Sequence, residues 1–522
     1  MIAIITMLIS VIISVALALI GAFIKTLPHA IEHGWIFPLI TATISIIFLN
    51  YVNFAYYSLY HESIPAIIAY GLCALLMIVG FYGMYVRLRG HRLLKSAKDK
   101  LINPDPAPKL CVGHNPRGVV FGIREDFESY IAKSETLDGH IMIIGGVGSG
   151  KSSCLAIPTL RAWRSRVFAI DIKGELYAKT HEYRSDIKVF NPQDDNSYGY
   201  DPYVFLRASS NHVQEARAIA QAIIPLPPEN KDPFWIESAQ TILTGAILHY
   251  YTNHSFIDTL REMQSHGPQE LIKIIAGSGN PKARMCVGSY IDMEPKTLSS
   301  IFAELSRATI TLVTDDELVS ALSKSRNIAP EDLEYGNDIY IKIPEHLLKQ
   351  WKNLLTLIVN QFLTFFERRD ENNNIPILFL LDEFPRLGKI PVIIEGLATL
   401  RSKKITICLI AQSIAQLDVI YSEKVGRVIA DTCSYKAILG ATDTHTQEYF
   451  SKLFGTYEKE KISKNRGLGL NGLTASRNIS ETTEDKRIIK PEEFATLDTI
   501  ALLTPHGNCF VDKAPYFFED IH

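Results

Sequence analysis

The 522-residue sequence predicts an α/β fold, and three observations carry that reading. Short apolar strands recur at residues 141–144, 167–170, 377–381 and 405–410, with helical patterns between them, as in a parallel sheet with crossover helices. A long stretch of helical periodicity, at 212–224, 235–251, 255–264 and 298–314, separates the second strand from the third. The first strand, His140-Ile141-Met142-Ile143-Ile144, runs straight into Gly145-Gly146-Val147-Gly148-Ser149-Gly150-Lys151-Ser152.

The elements follow in chain order. Residues 1–24 carry no charged side chain, and a helix of that length crosses roughly 30 Å of hydrocarbon. Further apolar runs cover 35–57 and 65–86, so 1–86 is expected to be a transmembrane region of two to three helices. The third run abuts Arg87, Arg89, Arg92, Lys95, Lys98 and Lys100, with only Asp99 opposing. The positive-inside rule then places the rest of the chain in the cytoplasm. If all three runs span, Met1 lies outside. A cleaved signal peptide is the rival for the first run, which lacks a charged n-region and exceeds an h-region in length.

Residues 87–117 form a basic juxtamembrane segment and a linker, Asn103-Pro104-Asp105-Pro106-Ala107-Pro108. The folded body begins at the strand-like run Gly118-Val119-Val120-Phe121-Gly122. Its nucleotide-binding part is assigned to 118–203 and 331–522, and an inserted all-α domain to 204–330. The chain is expected to return to the sheet at 338–343, followed by an amphipathic helix at 354–366. Residues 461–486, rich in Gly, Asn, Ser, Thr and charge, read as a mobile loop.

A formal net charge of -3 excludes a global basic excess, so any contact with nucleic acid has to be local or made by an oligomer. The seven cysteines are scattered, without a Cys-x-x-Cys pair or zinc-type His spacing, and read as reduced fillers of a cytosolic body.

The pattern Gly-x-x-x-x-Gly-Lys-Ser is met by Gly145, Gly150, Lys151 and Ser152, after a strand and before the helical segment 153–163. Gly145, Gly146, Val147, Gly148, Ser149 and Gly150 let backbone N–H groups turn inward around a β-phosphate, and the helix amino terminus, with Ser153, adds its positive dipole end. Lys151 reaches the β- and γ-phosphates, and the Ser152 hydroxyl binds Mg²⁺. The expected ligands are therefore ATP and Mg²⁺. The strand 377–381 ends in Asp382-Glu383. Asp382 is expected to orient the Mg²⁺ shell and Glu383 to polarise the attacking water, which makes the site hydrolytic. Gln412, at the tip of the strand ending Leu409-Ile410-Ala411, is a candidate γ-phosphate sensor. Arg401, before that strand, is a candidate finger for a neighbouring subunit's nucleotide, and Arg386 is its rival. Lys324, Arg326, Lys403 and Lys404 are cations of the kind that grip phosphates, or simply solvated faces.

These residues resemble the type IV secretion coupling proteins, the TraG and TrwB type of conjugation ATPase. The resemblance runs over the P-loop, Asp171-Ile172-Lys173-Gly174-Glu175-Leu176, Phe190-Asn191-Pro192, Asp232-Pro233-Phe234-Trp235, Asp382-Glu383-Phe384-Pro385-Arg386-Leu387-Gly388 and Ala411-Gln412-Ser413. It implies a hexameric, RecA-like motor at the bacterial inner membrane, with its bulk cytoplasmic and an all-α domain facing the cytosol. Its implied partners are relaxase-bound single-stranded DNA, secreted proteins and other secretion components. By position it makes Lys151, Ser152, Asp382 and Glu383 the active site, matches Gln412 to the family's glutamine and sets Arg401 where the trans-acting arginine stands. The family has two membrane helices around a periplasmic loop, where three apolar runs stand here. With the sequence ending at His522, docking through a long acidic tail is not expected.

The nearest rival is a chromosome pump of the FtsK and HerA kind, which would be expected to add a winged helix after residue 490. A transporter of the ABC class lacks its Leu-Ser-Gly-Gly-Gln signature here. A receptor that gathers substrates without hydrolysing nucleotide is the remaining alternative.

Overall fold

The computed structural model describes residues 105–517, apart from 126–127, 228–231, 373–374, 391 and 468–475, with backbone alone for 458–484. The apolar runs of 1–86 and the basic segment before residue 105 lie outside the described residues. Among those described, no helix is long and apolar enough to cross a membrane.

The first strands of the described residues are β1 (Val119–Arg124) and β2 (Ser129–Lys133), an antiparallel pair bulged between Val120 and Gly122. The run at 118–122 joins a side hairpin instead of the main sheet, and the folded body begins before it, at the helix Ala107–Leu110, whose Ala107 and Leu110 are buried where a linker was expected. That sheet has nine strands: β3 (Ile141–Ile144), β4 (Arg166–Asp171), β5 (Ile187–Phe190), β6 (Asp338–Lys342), β7 (Ile377–Leu381), β8 (Ile405–Ala411) and β9 (Tyr435–Ile438), then, beyond a ribbon of β10 (Thr456–Gly467) and β11 (Ser476–Arg487), β12 (Ile500–Thr504) and β13 (Gly507–Val511). Their spatial order is β13-β12-β9-β3-β8-β7-β4-β6-β5. From β9 to β5 every pairing is parallel, whereas β12 and β13 add antiparallel.

Local chemistry explains the centre. β3, β7 and β8 are buried at every position, and strands covered on both faces read as unbroken Ile, Leu and Val runs. The register aligns their carboxyl ends: Ile144 pairs with Ala411, Leu381 with Leu409 and Asp171 with Lys342. β8 lies between β3 and β7, so whatever follows Ala411 stands between the loop after Ile144 and the acidic pair after Leu381.

Between β5 and β6 the chain is helical, from Tyr203–Ala208 to Glu331–Tyr335. Several starts are capped by a side chain that accepts a backbone N–H: Asn211 from Gln214, Ser255 from Asp258 and Asp315 from Leu318. One apolar cluster runs from Ile144, Phe168 and Phe379 through Leu357 and Phe362 to Ile219, Ile242 and Leu305. The helices are therefore a layer continuous with the core of the sheet. The predicted helix at 354–366 is the middle of Leu348–Glu367, which bridges the two.

One expectation is corrected. Residues 461–486 were expected to be a loop, but most of them form the antiparallel ribbon β10–β11, which pairs Thr456 with Arg487 through Gly467 with Ser476. Backbone pairing needs no apolar face, so polar composition is a poor guide where two strands satisfy each other's N–H and C=O groups.

Candidate active site

The loop after β3 is held at both ends by backbone. Gly145 N–H donates to Ala411 O at 3.2 Å, and Cys154 N–H donates to Gly150 O at 2.8 Å, starting a wide π-type turn over Lys151–Ala156 that continues as the α-helix Ile157–Ala162. Gly148 and Gly150 sit at φ +74° and +99°, in the left-handed region that turns the loop's N–H groups inward. At Gly145 a Cβ would lie 2.4 Å from Ser149 Oγ, so side chains are excluded from the base of the cradle. Lys151, nearly buried, folds back and donates from Nζ to Gly145 O (2.6 Å) and Gly146 O (3.1 Å). Burial lowers its pKa, against the raising influence of Glu383 and Asp382.

Asp382 and Glu383 leave the tip of β7 almost wholly buried. Asp382 Oδ1 accepts the Glu383 N–H at 3.0 Å, and Glu383 adopts φ +49°, a left-handed conformation that costs a non-glycine residue about 1 kcal/mol or more. That twist turns consecutive residues to different tasks. Asp382 lies behind, its pKa raised to about 6 first by burial, then by the Glu383 charge, with Lys173 opposing. Glu383 lines the cleft, where its Oε2 accepts from Gln412 Nε2 at 3.0 Å. The order β3-β8-β7 makes this contact, because Gln412 follows the strand between the other two.

The cleft holds about 490 Å³ and is lined by Val147 to Ser153, Lys173, Glu175, Glu345, Glu383, Arg386 and Gln412. Of the residues picked from sequence, the loop, Lys151, Ser152, Ser153, Glu383 and Gln412 meet there, with Asp382 directly beneath. Arg401 does not. It is exposed at the opposite end of β8, just before Ile405, whereas Arg386 is in the cleft and donates to Glu345 Oε1 at 2.6 Å. Lys173, Glu175 and Glu345 carried no role in the sequence reading. Lys173 and Glu175 follow β4 in the string that begins at Asp171, and their position after a parallel strand was the signal available; Glu345 follows β6 in the same way. Asp171 itself is buried, accepts the Tyr177 N–H at 2.8 Å, and has its pKa raised by burial.

The four cations considered for phosphate contact are all engaged within the chain. Lys324 Nζ donates to Asp194 O and Ser197 O, and Arg326 lies over the Tyr198 ring. Lys403 pairs with Glu371, and Lys404 with Asp138.

The donor set fits a nucleotide triphosphate and Mg²⁺. An inward-turned N–H cradle and two lysines supply positive charge for phosphate, while the Ser152 hydroxyl and Asp382 are hard oxygen donors. Among the described residues no cluster of three or more His, Cys, Asp or Glu could hold an ion by itself. A Mg²⁺ here would draw its remaining ligands from phosphate and water.

Comparison with known proteins extends this geometry. The family model for type IV secretory system conjugative DNA transfer matches residues 97–517. Protein VirD4 of Agrobacterium fabrum (strain C58 / ATCC 33970) is 24% identical over 414 residues, covering 75% of this chain and 60% of its own length. The chain thus spans under two thirds of that relative. Among solved structures, the unbound monoclinic form of the bacterial conjugative coupling protein TrwBdeltaN70 superposes with TM-score 0.61 at 16% identity, covering 80% of this chain and 91% of its own. The plasmid coupling protein TrwB in complex with ADP and Mg²⁺ gives TM-score 0.58 at 17% identity, over 79% and 92%. At such identities the likeness is one of fold.

Proposed function

The chain belongs to the type IV secretory system conjugative DNA transfer family, and from that premise we propose that it is a coupling ATPase, which binds ATP and Mg²⁺ and uses hydrolysis to drive substrate into a secretion channel. The observation that carries the reading is the Gln412–Glu383 hydrogen bond at 3.0 Å, inside the cleft that the phosphate loop opens into. A loop alone binds nucleotide. A buried carboxylate, oriented by an amide from the neighbouring strand, is a base aimed at the γ-phosphate position.

In this mechanism the loop N–H groups hold the β-phosphate, and Lys151 exchanges its two carbonyl partners for β- and γ-phosphate oxygens. Mg²⁺, when bound, would supply positive charge that offsets the phosphate charge. Ser152 and Asp382 would hold its shell, the Asp382 pKa being raised first by burial and second by the Glu383 charge. Glu383 takes a proton from the attacking water as the water oxygen bonds to the γ-phosphorus. The bond to the bridging oxygen breaks, and ADP leaves with the electron pair. Gln412 fixes the Glu383 carboxylate and reports the γ-phosphate to β8. Arg386 lies on the chain's own cleft. Arg401, at the far end of β8, is placed by this reading against a neighbouring protomer's nucleotide in a RecA-like hexamer. The apolar runs of 1–86 anchor that ring in the bacterial inner membrane. Its substrates are relaxase-bound single-stranded DNA, secreted proteins or both, delivered to other components of the secretion system.

Full-length protein carrying Lys151→Ala or Glu383→Gln decides this. Glu383→Gln is expected to keep nucleotide binding and lose ATPase activity by about 10³-fold, with substrate transfer between cells abolished in step. Undiminished transfer would show a receptor that does not run on hydrolysis.

A further inference from the structure

The turn that carries the chain out of the acidic pair, Phe384–Leu387, packs inward at every residue but one. Phe384 stacks on the Tyr421 ring at 5.7 Å and 17°, Leu387 O accepts from Thr356 Oγ1 at 3.0 Å, and the Tyr421 hydroxyl accepts the Ile390 N–H at 3.0 Å. Arg386 N–H closes the turn on Glu383 O at 2.8 Å. Phe384, Pro385 and Leu387 are buried, so the Arg386 side chain alone leaves this turn for the cleft.

Its guanidinium is lodged on a carboxylate that follows a different strand. Arg386 Nη1 donates to Glu345 Oε1 at 2.6 Å, with the two side chains 34% and 56% exposed. Hydrogen bonding and charge from Arg386, and to a smaller degree the Lys173 charge, hold the Glu345 carboxyl below the usual carboxylate range. An ion pair this exposed is weakly held, because water screens it and both long side chains lose freedom in making it. In the same cleft Lys151 is parked on oxygen acceptors in a similar way, on Gly145 O and Gly146 O.

A γ-phosphate offers Arg386 a better partner. It carries more charge than a carboxylate, and the planar guanidinium fork fits two of its oxygens at once. The cleft sets Arg386 with Lys151, Glu383 and Gln412, the groups that face that phosphate in the nucleotide reading above. ADP has no such group. Once Arg386 leaves, Glu345 keeps the Lys173 charge nearby, so the exchange does not strand a lone carboxylate.

We propose that Glu345 and the γ-phosphate compete for Arg386, so that this arginine distinguishes ATP from ADP within a single protomer. The proposal rests on the nucleotide reading. Glu345 lies in the turn before the helix Leu348–Glu367, whose Trp351 Nε1 donates to Asp315 Oδ2 of the helical insertion at 2.9 Å. The exchange therefore takes place at the foot of the element that bridges sheet and insertion.

The full chain, solubilised in detergent, is titrated with ADP and with the non-hydrolysable ATP analogue ADPNP, each with Mg²⁺. Arg386→Ala is expected to weaken ADPNP binding about tenfold and ADP binding less than about twofold. Glu345→Ala is expected to tighten ADPNP binding about threefold, but only while Arg386 is present, so that the double variant matches Arg386→Ala. Equal weakening of both nucleotides by Arg386→Ala would make the arginine a prop for the turn, and an unchanged ADPNP affinity would leave it no part in binding. A Glu345→Ala effect that persists without Arg386 would be plain charge repulsion between carboxylate and nucleotide. Each of these results overturns the competition. Lys151→Ala is expected to lose both nucleotides. If it kept both, the nucleotide site itself would be misassigned, a failure distinguishable from that of the arginine alone.

Discussion

The two edges of the central sheet both bury ionisable groups, and they handle them differently. At the carboxyl edge Lys151, Asp382 and Glu383 are close-set charges of both signs that open on a cleft. At the amino edge Lys133 is fully buried and donates to the neutral Thr406 hydroxyl at 3.1 Å, and His140 Nδ1 accepts the Ile407 N–H at 3.0 Å. Burial pulls Lys133 down to about 8, and burial followed by the Lys133 charge pulls His140 down to about 3. One edge keeps charge and lends it to a ligand, whereas the other holds its histidine neutral and ties strands together. β8 joins them, with Arg401 before its start and Gln412 after its end. Burial alone therefore does not mark a functional group; a facing charge and an open cleft do.

The sharpest way to break this comparison is through Arg401, the one predicted catalytic residue at the amino edge. Arg401→Ala is expected to cut ATPase activity by about 10³-fold, and mixing it with Glu383→Gln protein should recover part of the loss, because some composite sites regain both groups. Failure of mixing to recover activity would return the task to Arg386. Next in size, Gln412→Ala, which removes the 3.0 Å contact to Glu383, is expected to lower kcat about tenfold with nucleotide affinity little changed, as read from steady-state kinetics.

The two edges should also respond to pH with opposite sign. Asp382 has a folded pKa of about 6 against 3.8, so the native state binds more protons in that window and stability falls as pH rises through it. Lys133 has about 8 against 10.5, so the unfolded state binds more protons there and stability climbs between those values. Each is on the order of 3 kcal/mol. Denaturant titrations should lose the acid-side fall in Asp382→Asn and the alkaline-side climb in Lys133→Met; an unchanged profile in either variant would show that another group titrates. Smallest of all, Glu383→Gly should relax the φ +49° backbone and gain up to about 1 kcal/mol in the same titration, while losing ATPase activity as Glu383→Gln does.

Much of the fold was legible because parallel strands buried on both faces leave unbroken apolar runs, and the loop, Asp382, Glu383 and Gln412 each stand at the end of one. β5, β9, β12 and β13 were missed. β5 and β13 form the two margins of the sheet and are only partly covered, so their apolar signal is diluted, and in β9 the buried run is interrupted by Lys436. The ribbon β10–β11 has the polar composition of a loop, because backbone pairing between two strands needs no apolar face. Lys173, Glu175 and Glu345 each follow a strand, but their local sequence does not say which strand ends are neighbours.

By itself, then, the sequence determined the phosphate loop, the acidic pair, the helical insertion and the family, since each is written in contiguous residues whose spacing the backbone geometry dictates. Tertiary structure alone decided which tips meet. The order β3-β8-β7 sets Gln412 against Glu383, leaves Arg386 in the cleft and Arg401 at the far edge, and lays Tyr516 along Ser153. Strand order follows from how crossovers close a sheet, a long-range property that no local window of residues contains.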